Sequence, residues 1–136
     1  MFRLTKAQLE WFDDKARKDF VERISGYLEQ NFRDSVSGLS KDELRAWVDG
    51  GVERALRFHI VDEPEVAQLI LLHLVLGQSA DETTPWVKET LEDEGLYPAG
   101  KLNKLIEQAR ERRVESIEQV VTERFARPFG LEAIPW

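Results

Sequence analysis

The chain has no cysteine among its 136 residues. That excludes thiolate catalysis, cysteine-ligated zinc and a disulfide scaffold, and it fits a reducing compartment. Histidine is almost as scarce, with His59 and His73 the only two. A zinc site needs three or four ligands at set spacings, such as HExxH, and none is present. No metal or other cofactor is expected. Positive charge is also short: 19 basic residues face 26 acidic ones, for a net charge of −7. Nucleic acid and anionic membrane both require a basic stripe, so neither is an expected partner. A membrane-spanning run is missing too. The most apolar stretch, residues 66–76, would cover roughly 17 Å as a helix, against a hydrocarbon layer of ~30 Å. Met1-Phe2-Arg3-Leu4-Thr5 leads into a charged amphipathic pattern rather than an apolar signal region. The expected address is therefore the cytoplasm, most naturally a bacterial one.

What the chain does have is helical periodicity, and it is organised around that apolar stretch. From Leu69 to Leu76 only His73 is not aliphatic, which leaves no polar face for water. Such a helix must be covered on every side, so the other segments are expected to wrap it. The length suits one domain. The expected fold is all-α, a single-domain bundle of about five helices around a buried central helix, Glu65–Leu76. The bundle is expected over residues 1–127, with an apolar tail at 128–136.

Start signals recur along the chain. Thr5-Lys6-Ala7-Gln8 reads as a capping box with Leu4 and Leu9 as its hydrophobic staple. It opens a first helix of about 27 residues, with Leu9, Phe12, Ala16, Phe20, Ile24 and Leu28 on one stripe. Asp34 to Gly38 reads as loop. Ser40-Lys41-Asp42-Glu43 repeats the box and starts a second helix carrying Leu44, Val48, Val52 and Ala55. Gly51 lies on that apolar face, where close approach of another helix is its expected reason. Asp62-Glu63-Pro64-Glu65 opens the central helix and Gly77 closes it. Gln78 to Thr83 reads as a polar loop, Trp86 to Glu94 as a short helix ended by Gly95. The last helix is expected from about Ala99 to Phe125. Arg113 interrupts its stripe, with Arg110 and Arg112 nearby, so the helix either breaks there, leaves the core, or holds an arginine in a buried ion pair or an anion pocket.

Little here spells out a reaction. His73 is expected to be a core imidazole bonded to a neighbour, and His59 to complement the dipole at a helix C-terminus. Acid pairs such as Asp13-Asp14, Asp62-Glu63 and Glu92-Asp93-Glu94 sit at helix ends and in loops, where capping and solvation explain them. There is no nucleophile elbow and no glycine-rich phosphate loop. Two features point instead to a protein partner. Trp11 falls opposite the apolar stripe of the first helix and is expected to face solvent or a partner, unless another segment covers it. The tail carries Phe129, Leu131, Ile134 and Trp136, each worth about 1.5–3 kcal/mol when buried, in cis or on another protein. With the acidic loop at Asp81 and Glu82, these are the candidate partner-binding residues.

The order of features resembles a family. Ser40-Lys41-Asp42-Glu43-Leu44-Arg45 leads to Gly51-x-x-Arg54-Ala55. Ile60-x-x-Glu63 then precedes the Val66-Ala67 helix that ends at Leu76-Gly77. Pro85-Trp86-Val87, Leu91-x-Asp93 and Lys101-Leu102-x-x-Leu105 follow. This succession, over roughly Leu4 to Ala109, resembles small α-helical bacterial proteins encoded beside type VI secretion spike and effector genes. The resemblance implies an adaptor or co-chaperone that loads a toxic effector, or an immunity protein that blocks one. Its partner would be an effector, a chaperone or a spike component. Residues from Arg110 onward depart from the pattern. A homodimer through the first helix is compatible with each role. A third reading, a small enzyme, requires His73 or His59 to meet a carboxylate in a pocket.

Overall fold

In the computed structural model, residue 11, residues 13–118 and residue 120 are described. The Thr5–Gln8 box, its Leu4–Leu9 staple and the tail residues Phe129, Leu131, Ile134 and Trp136 lie outside them.

Seven helices and no strand occur among the described residues. They are α1 (Asp14–Asn31), α2 (Arg33–Val36), α3 (Lys41–Arg57), α4 (Glu63–Leu76), α5 (Ala80–Thr83), α6 (Pro85–Glu92) and α7 (Pro98–Glu111). The all-α bundle is thus as the periodicity dictates. The two additional helices are single turns, α2 and α5, set within stretches that read as loop. Polar residues dominate both, but Val36, Ala80 and Asp81 are buried, and that anchors the turns.

Helix α4 is the centre. Eight consecutive residues, Val66 to His73, are buried, so no side of that segment meets water. Leu74, Val75 and Leu76 are half-buried, which shortens the dry stretch by one turn relative to the sequence reading. One flank of α4 packs on α3 and another on α7, while α1 lies along α3. The α3–α4 approach is very close. A Cβ built on Gly51 would stand 2.7 Å from Ile70 Cγ1. Glycine is there because the two helices leave no room for a methyl group.

The helix ends follow local chemistry. Asp13 Oδ1 accepts the amides of Lys15 and Ala16 at 3.0 and 3.3 Å, which starts α1 thirteen residues into the chain. At α3 the capping box closes in both directions. Ser40 Oγ accepts the Glu43 amide at 3.1 Å, and Glu43 Oε1 accepts the Ser40 amide at 2.9 Å. Those bonds from Ser40 hold the Glu43 carboxyl below its ordinary value. Gly77 ends α4 at φ 91, a backbone conformation that side-chain-bearing residues rarely adopt.

Helices α3 and α7 end alike, each with a residue other than glycine at positive φ. His59 (φ 64) and Arg113 (φ 54) follow the caps Phe58 and Arg112. Ile60 N–H donates back to Ala55 O and His59 N–H to Leu56 O. Val114 N–H and Arg113 N–H repeat the pattern on Ala109 O and Arg110 O. This is the paired 6→1 and 5→2 bonding of a Schellman motif. Of the expectations for Arg113, the break is the one realised: the long last helix stops at Glu111, and Arg113 is exposed in its turn. The chain becomes helical again at Ile117. A left-handed residue other than glycine is strained by about 1 kcal/mol. His59→Gly is therefore expected to raise stability by about 0.5–1 kcal/mol, partly offset by the freer unfolded chain. A thermal melt in which His59→Gly lowers the midpoint would show that the imidazole contributes more than its backbone costs.

Lys101 also serves a helix end. Although buried, it donates from Nζ to Phe58 O at 3.1 Å and satisfies a carbonyl at the C-terminus of α3. Burial pushes its pKa down, against the pull of Asp93 and Glu94.

Candidate functional site

Two places gather polar chemistry among the described residues. The first is internal. His73, on α4, is turned toward the α4–α5 corner that Gly77 makes possible. Its Nε2 lies 3.2 Å from Asp81 Oδ1, and both side chains are sealed from water. Arg54 of α3 reaches the same corner, with Nη1 3.8 Å from Asp81 Oδ2 and 3.7 Å from Glu82 Oε1. Arg57 adds a contact to Glu82 at 3.4 Å. Next to them, Gln78 Nε2 donates to Trp47 O at 2.7 Å, with the Gln78 amide lying over Gly50 and Gly51. Residues 78–82 are thus tied to α3 and α4 at several points.

This corrects the expectation for Asp81. It does not belong to an acidic loop facing a partner but is the buried acceptor for His73. Glu82 is exposed as expected, yet it is engaged by two arginines of its own chain. His73 does meet a carboxylate, as the enzyme reading required. The pair is buried, however, with side-chain exposures of 1% and 0%. His59, on the other side of α3's end, is exposed in its turn.

The second place is a groove of about 840 Å³ between α1 and α3. Its apolar lining is Trp11, Val21 and Ala46. Trp11 corrects a second expectation: it is 5% exposed, not turned out to solvent. It precedes α1 rather than riding on it. Its indole N–H donates to Val61 O at 2.7 Å, and its ring meets Phe20 edge-on with centroids 5.0 Å apart. That cis packing fixes Trp11 at one end of the groove.

The groove walls are laced by ion pairs that cross from helix to helix. Arg17 of α1 binds Asp49 at 2.7 Å and Glu53 at 2.6 Å on α3. Arg45 of α3 binds Glu22 at 2.6 Å and Glu29 at 3.3 Å on α1. The arginines are sunk into the walls, with side-chain exposures of 19% and 26%. Glu22 and Glu53 stand out at 59% each, Asp49 at 46%. The hydrogen bond from Arg45 is the main reason Glu22 is held below its ordinary pKa. The sequence reading missed these residues. Their partners lie 16 to 36 positions away, so no local pattern announces them.

A third feature, at the start of α4, concerns protons. Glu65 is half-buried and its pKa is pushed up to about 7. Burial contributes first, then the charge of Asp62 and a hydrogen bond shared with it. The native state therefore holds an extra proton between about 4.5 and 7, and stability falls as pH rises through that window. Above pH 7 the penalty is complete. Glu65→Gln is expected to stabilise the protein by about 1 kcal/mol at pH 8, allowing for water at its open side, and by almost nothing near pH 4.5. Denaturant midpoints for both proteins at the two pH values check the sign. An equal gain at both would remove the acid pair as the cause.

What the fold and these places define is a small all-α domain whose charged groups mostly brace its own helices. No described helix is long and apolar enough to cross a membrane. The described residues contain no group of three or more potential metal ligands. Comparison with protein-family models, characterised proteins and solved structures finds no match to this chain.

Proposed function

We propose that this chain is a non-enzymatic protein-binding adaptor or co-chaperone for bacterial effector delivery, in the setting of type VI secretion. The observation that carries the binding role is the α1–α3 groove. It joins an apolar lining of exposed Ala46 and the nearly buried Trp11 and Val21 to a charged rim. The disposition of the ionisable groups agrees. His73 and Asp81 are spent on each other, and Lys101 caps a helix. The delivery setting comes from the succession of residues between Leu4 and Ala109. Co-expression with the proteins of neighbouring genes tests the reading. An adaptor forms a stoichiometric complex with an effector or spike component and is required for its delivery. Failure to bind any product of its own locus would end the proposal.

The excess of carboxylates favours a second reading, immunity by occlusion of a basic toxin cleft. The two readings separate on survival. An immunity protein rescues cells that express the neighbouring toxin, whereas a loader need not.

A further inference from the structure

We propose that the α1–α3 groove receives a basic amphipathic helix of a partner protein, its apolar stripe over exposed Ala46 beside the nearly buried Trp11 and Val21, and its cations over Glu22 and Glu53. This rests on the adaptor reading and supplies the chemistry of what is bound. The groove is lined on α1 by positions 14, 17, 18, 21 and 22, and on α3 by 45, 46, 49 and 53. Each set is one face of a helix over about two turns, or ~12 Å. A channel between two parallel cylinders suits a third, laid lengthwise with its apolar stripe down.

Each arginine is shared between two carboxylates, and the groove lining as a whole carries four carboxylates (Asp14, Glu22, Asp49, Glu53) against three cations (Arg17, Lys18, Arg45), one negative charge in excess. Because the arginines are sunken and the carboxylates protrude, that excess is what an approaching segment meets. Asp14 and Lys18, also on the lining, balance each other in sign. An acidic segment would bring like charges together over a low-dielectric floor. A basic one completes the pattern, and the net charge of −7 steers it in.

The probe is an 18-residue synthetic peptide with leucines at i, i+3, i+4 and i+7 and lysines elsewhere, titrated onto the full isotope-labelled chain. The signals followed are the Trp11 indole N–H and the Val21 and Ala46 amides. Saturable shifts confined to those signals are expected, with none from a scrambled peptide of equal composition or from the leucine–glutamate version. Ala46→Trp, which fills the groove from an exposed position, should weaken binding about tenfold or more. Glu22→Gln/Glu53→Gln should weaken it several-fold and flatten its salt dependence, as loss of charge complementarity requires. Equal binding of the scrambled peptide would reduce the effect to general acidity and overturn the proposal. So would contacts between residues 1–10 and Ala46 in the free chain, or a dimer that Ala46→Trp disperses, since either names a different occupant. A natural partner retained equally by Ala46→Trp would sink the groove and leave the adaptor reading intact. Peptide binding without any partner from the locus would do the reverse.

Discussion

Asp81→Ala is expected to destabilise this protein by about 1–3 kcal/mol, the range for leaving a buried polar group without its partner. The side chain is fully enclosed and receives His73 Nε2 at 3.2 Å. Its loss leaves the imidazole nitrogen buried with no acceptor, and leaves Arg54 Nη1 facing an empty corner. The remaining ring nitrogen, Nδ1, already has no hydrogen-bond partner among the described residues, so nothing is in reserve. The cost should reflect desolvation more than attraction, and a double replacement tests that. His73→Leu/Asp81→Leu removes both polar groups and is expected to lose much less than the sum of the single changes. Glu82→Ala, one residue away but exposed, should stay within about 0.5 kcal/mol despite two arginine contacts. Urea midpoints decide the matter. A loss at Asp81 no larger than that at Glu82 would mean the corner is wetter than its burial implies.

Gly51→Ala should cost about 1–3 kcal/mol, even though alanine is the better helix former by about 1 kcal/mol. The reason is the 2.7 Å approach to Ile70 Cγ1, well inside the van der Waals contact distance of two carbons. Ile70 is completely buried in α4 and has nowhere to retreat. Gly26, near the middle of α1, is the internal control. Nothing lies within 4 Å of a Cβ built there, so Gly26→Ala should stabilise by about 0.5–1 kcal/mol. The same substitution then has opposite signs at two helical glycines. Coupling to Ile70 gives the sharper check: in an Ile70→Ala background the penalty at Gly51 should vanish, because Cγ1 is gone. A penalty that persists there would place the constraint elsewhere in α3.

Residue patterns went far in this chain. The dry centre of α4 follows from an unbroken aliphatic run, because a helix with no polar face can only be surrounded. The α3 capping box and the end of α4 at Gly77 are local chemistry and were legible as such. So was the reason for Gly51, since a glycine on an apolar stripe has few other uses. The single turns α2 and α5 were not legible. Polar residues dominate both, and the burial of Val36, Ala80 and Asp81 that anchors them is not visible in the local pattern. The break after Glu111 had a visible symptom in Arg113, but its form, a left-handed residue other than glycine, depends on how Val114 returns to Ala109.

The candidate site divides in the same way. Trp11 stands out in the sequence, but a helical wheel cannot place it: it precedes α1, and its indole bonds Val61, fifty positions on. Asp81 and Glu82 are neighbours of one charge and looked equivalent, yet the chain turn at Gly77 buries one and exposes the other. By itself the sequence determined an all-helical chain built around one dry helix, because periodicity and capping act over a few residues. Only the tertiary structure decided which acids face water, which histidine has a partner and where a groove opens. Those depend on side chains 16 to 50 positions apart being brought within 3 Å or so of one another, and no local pattern encodes that.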